Sequence, residues 1–106
     1  MFTVFESRLF TKLWPDYWTE EERSDFAAYL AKEPDAGAVV PGGGGVRKVR
    51  WSRHGGGKRG GVRIIYFNRL RYGQIWLLTI YAKSRQENAP AHILRQLKEE
   101  IENALE

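Results

Sequence analysis

The chain contains no cysteine. Disulfide staples, thiolate nucleophiles and cysteine-bearing metal sites are therefore excluded, and a reducing compartment is permitted. Histidine is scarce: His54 and His92 are the only two. With no Cys/His cluster, neither a metal nor another cofactor is expected. Long apolar runs are missing as well. The longest, near Ile64–Phe67 and Ile75–Ile80, fall far short of the roughly 20 residues that cross a bilayer. The opening MFTVFESRLF has no basic n-region followed by an apolar h-region, so no signal peptide is expected. No internal repeat is present.

The most informative absence is that of acid. Residues 42–85 carry eleven Lys/Arg and no Asp or Glu. Residues 1–41 carry four basic and eight acidic side chains, and residues 86–106 carry two and five. The formal net charge of +4 thus averages over a strongly basic middle and two acidic ends. A middle segment without carboxylates cannot neutralise itself locally, and its field favours a polyanion, most simply nucleic acid. Glycine follows the same distribution: nine of eleven lie between Gly42 and Phe67, beside seven Lys/Arg. With 42% hydrophobic and 13% aromatic residues in a length of 106, the composition is that of one folded domain over 1–106.

Local patterns predict the elements. FTVFE is aromatic and β-branched and reads as a strand from Phe2 to Glu6. Ser7 caps a short helix, Arg8–Trp14, that Pro15 stops. Thr19 and Glu22 form a capping box for a helix over Glu20–Lys32, with Phe26, Tyr29 and Leu30 inward. Glu33–Gly45 is a loop. In VRKVRW, Arg47, Val49 and Trp51 face one way and Lys48 and Arg50 the other. Ser52–Gly61 is a long hairpin loop, VRIIYF a strand, RLRYG a tight turn, and QIWLLTIYAK a strand apolar on both faces, hence central. Asn88 caps a last helix, Ala89–Leu105, with Ile93, Leu94, Leu97, Ile101 and Leu105 on one stripe. The order β-α-α-β-β-β-α predicts an α+β fold: an antiparallel sheet with helices packed on it.

Common catalytic toolkits are not supported. No GxxxxGK[ST] occurs, and GGGKRGG lies between two antiparallel strands rather than before a helix. Glu99 and Glu100 read as solvated charge on a helix face. What remains is a cationic sheet face: Lys48 and Arg50 two apart, Arg63 on the next strand, Lys58 and Arg59 on the hairpin loop, and Tyr81 and Lys83 ending the central strand. Arginine matches the planar oxygens of phosphate, and lysine among like charges can drop its pKa and move a proton. RNA carries its own nucleophile, the 2′-OH, so phosphodiester transfer requires alignment, a base, an acid and a cation, but no metal. Lys48, Arg50, Lys58, Arg63, Tyr81 and Lys83 are the candidate catalytic residues. Arg47, Arg53, His54, Arg59 and Arg85 are candidate RNA contacts. The same residues would serve a module that only binds RNA. The glycine-rich loop is expected to be mobile in the free protein and to order on its target.

The stretches VRKVRW, GKRGGVRIIY and LLTIYAK resemble the RelE/ParE superfamily of type II toxins, most closely the HigB branch of RelE-like toxins. GGVRIIY is the most specific piece, followed by IYAK. The resemblance implies a RelE-like fold and a cytoplasmic, ribosome-dependent mRNA endonuclease that cuts in the A site. It further implies a cognate antitoxin of the helix-turn-helix, HigA type, the ribosome and mRNA as partners, no membrane, and a monomeric free toxin. By the same resemblance Arg63 matches the strand arginine that stabilises the transition state, and Lys48 and Arg50 match an alternating basic pair. Lys83 or Arg85 lies near a C-terminal basic position where Ser84 is the literal counterpart. The tyrosine that RelE toxins carry just beyond it has no match in QENAPAH, which leaves Tyr81, Tyr66 and His54 as alternatives for the proton. A ParE-like, non-nuclease gyrase poison is the competing member of the superfamily, and it does not need a cationic sheet cluster.

Overall fold

A computed structural model describes residues 2–52, 61–82 and 89–106. Strand β1 (Thr3–Glu6) leads into helix α1 (Arg8–Leu13). Ser7 Oγ accepts the Phe10 N–H at 3.0 Å and donates to the Leu78 carbonyl at 2.8 Å, so one hydroxyl both caps α1 and pins it to the sheet. The helix ends one residue earlier than expected, and Trp14–Asp16 tightens into a 3-10 turn around Pro15, which has no N–H to continue it. Helix α2 spans Glu20–Lys32 with the expected capping box: Glu22 N–H to Thr19 Oγ1 at 3.1 Å, and Thr19 N–H to Glu22 Oε1 at 2.8 Å. Arg23 then reaches Glu6 at 2.5 Å and lies 4.6 Å over the Trp14 ring, tying α2 to β1 and to the turn.

The remaining strands are β2 (Ala38–Val39), β3 (Arg47–Trp51), β4 (Val62–Arg69) and β5 (Gln74–Ala82), followed by helix α3 (Ala91–Leu105). The sheet order is β1-β5-β4-β3-β2. The fold class is α+β as expected, but the sheet is mixed rather than wholly antiparallel, because β1 runs parallel to β5. Parallel neighbours need a long connection, and here every other strand and both N-terminal helices lie between the two in sequence. β2 is a short addition inside the expected loop, pairing Ala38 with Lys48 and Val39 with Arg47. As its apolar runs suggested, β5 is central, flanked by β1 and β4.

Both faces of the sheet are covered. On the first, Phe10, Trp18, Phe26 and Leu30 from the N-terminal helical region pack on Val49, Ile64, Tyr66, Ile75, Leu77 and Ile80. On the second, Leu94 of α3, with Leu97 and Ile101 beside it, packs on Val46, Ile65, Phe67, Leu78 and Tyr81. A bulge separates Ile65, which pairs with Thr79, from Tyr66, which pairs with Leu77. It lets Leu78 and Tyr81 share a face although their spacing of three would place them on opposite sides of a regular strand.

Three expected inward positions differ. Tyr29 is 37% exposed and instead lays its ring 5.0 Å from Trp51. In α3 only Leu94 is fully buried, and Ile93 and Leu105 are exposed. Ile93 flanks the line through Leu94, Leu97 and Ile101, and Leu105 ends the helix. The helix begins at Ala91 behind Pro90; the expected cap, Asn88, lies outside the described residues.

Tyr66 shows how the first face is fastened. Its hydroxyl donates to the Pro34 carbonyl at 2.7 Å and accepts the Gly37 N–H at 2.9 Å. Burial raises its pKa, opposed by the Gly37 amide and by Arg47. Gly61 fixes the other end of the β3–β4 pair. Its φ is +63°, and a Cβ there would stand 2.2 Å from the Trp51 carbonyl oxygen.

Gly61→Ala is therefore expected to destabilise the fold by roughly 1–3 kcal/mol, read as a lower urea midpoint. An unchanged midpoint would show that the hairpin closes without this backbone geometry. Tyr66→Phe should cost about 1–3 kcal/mol, because it strands the buried Gly37 amide, while the Pro34 carbonyl keeps the Asn68 side-chain donor at 2.9 Å, and should leave the activity of the remaining folded protein unchanged.

Candidate functional site

The β3–β4–β5 register brings four of the sequence-predicted residues together. Arg50 pairs directly with Arg63, and Arg63 pairs directly with Tyr81. Directly opposed side chains stand about 5 Å apart at Cβ, so the three form one row across three strands. Lys48 lies two residues along β3 from Arg50, on the same face and about 7 Å away by strand rise. Its register partner Ile65 belongs to the apolar cluster under α3. The site is thus the corner of the second sheet face that lies next to the α3-covered patch.

Exposure grades across the row. Arg50 is exposed, Lys48 and Arg63 are half-buried, and Tyr81 is 6% exposed. Arg50 and Arg63 thus present two permanent positive charges from directly opposed positions. Burial raises the Tyr81 pKa; the nearby Ala89 backbone N–H and the Arg63 charge oppose the rise without reversing it. Tyr81 is therefore a neutral phenol near pH 7, suited to donating a hydrogen bond.

Other candidates are placed elsewhere. Arg47 faces the first side, where Nη1 donates to the Gly37 carbonyl at 2.7 Å and Nη2 lies 3.4 Å from Asp35 Oδ1. It is separated from Lys48 and Arg50 by the thickness of the sheet, as the alternation of VRKVRW requires. Tyr66, one of the alternatives for the proton, is also on the first side and is held by its two bonds to the Pro34–Gly37 segment. Arg53, His54, Lys58, Arg59, Lys83 and Arg85 lie outside the described residues, as does most of the glycine-rich loop Ser52–Gly61. Both intervening segments are attached at the site: 53–60 joins the β3 and β4 ends at Ser52 and Gly61, and 83–88 leaves Ala82, the register partner of Val62.

Sequence reasoning missed Ala89. It packs against the cluster that contains Tyr81, and its backbone N–H faces the phenol. A main-chain group leaves no signal in residue type. The first glycine run also has a structural role. Gly44 has φ +70° and passes so close to α3 that a Cβ would be 3.2 Å from Arg95 Cγ.

A groove of about 430 Å³ between α1 and α3, lined by residues such as Leu9, Trp76, Leu97 and Ile101, includes none of Lys48, Arg50, Arg63 or Tyr81. The cationic row lies on the sheet outside that groove. Among the described residues no group of His, Asp and Glu could hold a metal ion, and no helix is long and apolar enough to cross a membrane.

No family model matches the chain. Among solved structures it is similar to a double arginine-to-alanine mutant of the E. coli toxin RelE in the free state, with a TM-score of 0.63 and 11% identity over 92% of this chain and 96% of that one. The mixed sheet, the helices on its two faces and the strand order here are accordingly those of the RelE toxin fold.

Proposed function

We propose that the chain is a single-domain toxin of a type II toxin–antitoxin system that cleaves mRNA on the ribosome. The observation that carries the reading is the row Arg50–Arg63–Tyr81 with Lys48 beside it, presented on a RelE fold. In this mechanism the RNA supplies the nucleophile. The 2′-oxygen attacks the adjacent phosphorus, the P–O5′ bond breaks, and a 2′,3′-cyclic phosphate and a 5′-hydroxyl result. The 2′-OH proton goes to a base, and a proton is delivered to the departing 5′-oxygen. Charge builds on the non-bridging oxygens, where Arg63 and Arg50 present planar, permanently charged donors and Lys48 adds a point charge. Lys58 and Lys83, on the segments attached at this corner, are the further candidates for proton transfer.

The partners under this reading are the ribosome with its mRNA and an antitoxin that covers the basic corner. HigB-like kinship and a HigA-like, helix-turn-helix antitoxin follow from the resemblance of GGVRIIY and IYAK. The site of action is then the cytoplasm. A gyrase-directed, ParE-like activity is the less favoured outcome, since it gives the cationic row no task.

Arg63→Ala is expected to fold normally and to lose cleavage by a hundredfold or more, about 3–4 kcal/mol of transition-state stabilisation. Growth arrest and mRNA cleavage equal to wild type would remove Arg63 from the mechanism. Ribosome-bound mRNA should be cut far faster than the same naked RNA, because the described corner holds no strong base and alignment must come partly from the ribosome. Equal rates at matched concentration would contradict ribosome dependence, and DNA damage with intact mRNA would favour the gyrase reading.

A further inference from the structure

The two most exposed large apolar side chains among the described residues stand together on one turn. Leu70 and Tyr72 are each 58% exposed, and Arg71 between them is exposed as well. They form the 3-10 turn that joins β4 to β5. Counted along β4 from Arg63 to Arg69, this turn is roughly 20 Å from the cationic row by strand rise. The turn is firmly fastened. Gly73 takes a left-handed φ of +66° and returns its N–H to the Leu70 carbonyl at 3.1 Å. Its own carbonyl accepts the Thr3 N–H at 2.9 Å, which ties the turn to β1. Arg69 donates to Gln74 Oε1 at 3.2 Å, lies 3.9 Å from Glu106 and sets its guanidinium 4.4 Å from the Tyr72 ring centroid. Its side chain is only 13% exposed, so it supports the ring from the protein side. Arg71 stands 5.9 Å from the same centroid. A ring held in place in this way loses little freedom when a partner covers it. Residues 68–76 contain no acid and fall within the acid-free stretch 42–85, a charge balance that favours a polyanion over a protein partner. A fixed aromatic ring beside an exposed guanidinium is what single-stranded nucleic acid takes: a base on the ring and a phosphate on the cation.

We propose that the β4–β5 turn is a second RNA contact, at which an unpaired base of ribosomal RNA stacks on Tyr72 while Arg71 holds a neighbouring phosphate. The proposal rests on the reading of the chain as a ribosome-dependent nuclease, and it adds a grip separate from the cutting site. Arg63 and its neighbours meet the mRNA at one end of the β4–β5 hairpin, and the turn meets the ribosome at the other. Two contacts at opposite ends of one rigid hairpin fix the orientation of the domain, which one contact alone does not. The turn therefore contributes to binding and takes no part in the chemical step.

Cleavage kinetics of the full chain on mRNA-programmed ribosomes test the contact. Tyr72→Ala should raise KM for the ribosome about tenfold and leave kcat within about twofold, because a lost base stack weakens binding alone. Tyr72→Phe keeps the ring and should match wild type. Tyr72→Leu keeps apolar bulk without a ring and should behave as Tyr72→Ala does. Arg71→Ala should weaken ribosome binding and flatten the dependence of log affinity on log salt by about one phosphate contact. A wild-type KM in Tyr72→Ala overturns the proposal. So does a wild-type KM in Tyr72→Leu, which marks an apolar protein contact, and so does a kcat loss that Tyr72→Phe does not rescue alongside an unchanged KM. An unchanged salt slope in Arg71→Ala also overturns it. Co-sedimentation with ribosomes keeps the two readings apart. Binding that depends on Tyr72 in a chain that cleaves no mRNA removes the nuclease reading and keeps the contact. Cleavage indifferent to Tyr72 keeps the nuclease reading and removes the contact, and a wild-type chain that does not sediment with ribosomes removes it too.

Discussion

The ladder between β4 and β5 is the constraint on which the rest of the molecule depends. Its residues supply most of the side chains buried on both faces, from Ile64 to Phe67 and from Ile75 to Tyr81. Because side chains alternate, one register decides at once what the N-terminal helices cover, what α3 covers, and what is left over. Arg63 is at the end of that ladder. It cannot leave the second face without moving Ile65 and Phe67 with it. The hydrophobic core therefore positions the arginine, and the chemistry of the site inherits the rigidity of the packing around it.

The bulge between Ile65 and Tyr66 is the second determinant. Without it, Leu78 and Tyr81 could not both join the cluster under α3. With it, the strand end is re-aimed so that the phenol stands beside Arg63 and faces Ala89. Bulges next to sites commonly serve this purpose. The comparison of Tyr66 with Tyr81 makes the same point. Both phenols have their pKa raised chiefly by burial. One is bonded into the Pro34–Gly37 segment and is structural, whereas the other stands beside Arg63 in the cationic row. Side-chain type is identical, and the surroundings separate the roles.

The basic middle of the chain places two arginines on opposed positions of one ladder, with a lysine one pleat away. Several acidic side chains hold the fold: Glu6 and Glu20 hold Arg23, Asp35 lies by Arg47, and Glu99 and Glu102 pair with Arg95 and Lys98 within α3. Lys98, which pairs with Glu102, also lies over the Phe67 ring, so charge on α3 contributes to its packing. Among the middle bases, Arg47 and Arg69 pair with Asp35 and Glu106, whereas Lys48, Arg50 and Arg63 share the second face of the sheet.

Elements with strong local physics were legible in the residues alone. The Thr19–Glu22 capping box set the start of α2, Pro15 bounded α1, and a β5 apolar on both faces read as central because only a doubly covered strand tolerates such a run. Alternation in VRKVRW was enough to put Lys48 and Arg50 on one face and Arg47 on the other, since the period of a strand is fixed by its backbone. The parallel pairing of β1, the short β2 and the bulge were not legible: each depends on contacts between residues far apart in sequence, to which local propensity is blind. The same limit applies to the site. Sequence named Arg63 and Tyr81 as candidates, but only the tertiary register made them neighbours. The amide of Ala89, a main-chain group common to nearly every residue, acquired significance solely from the place to which the fold brought it.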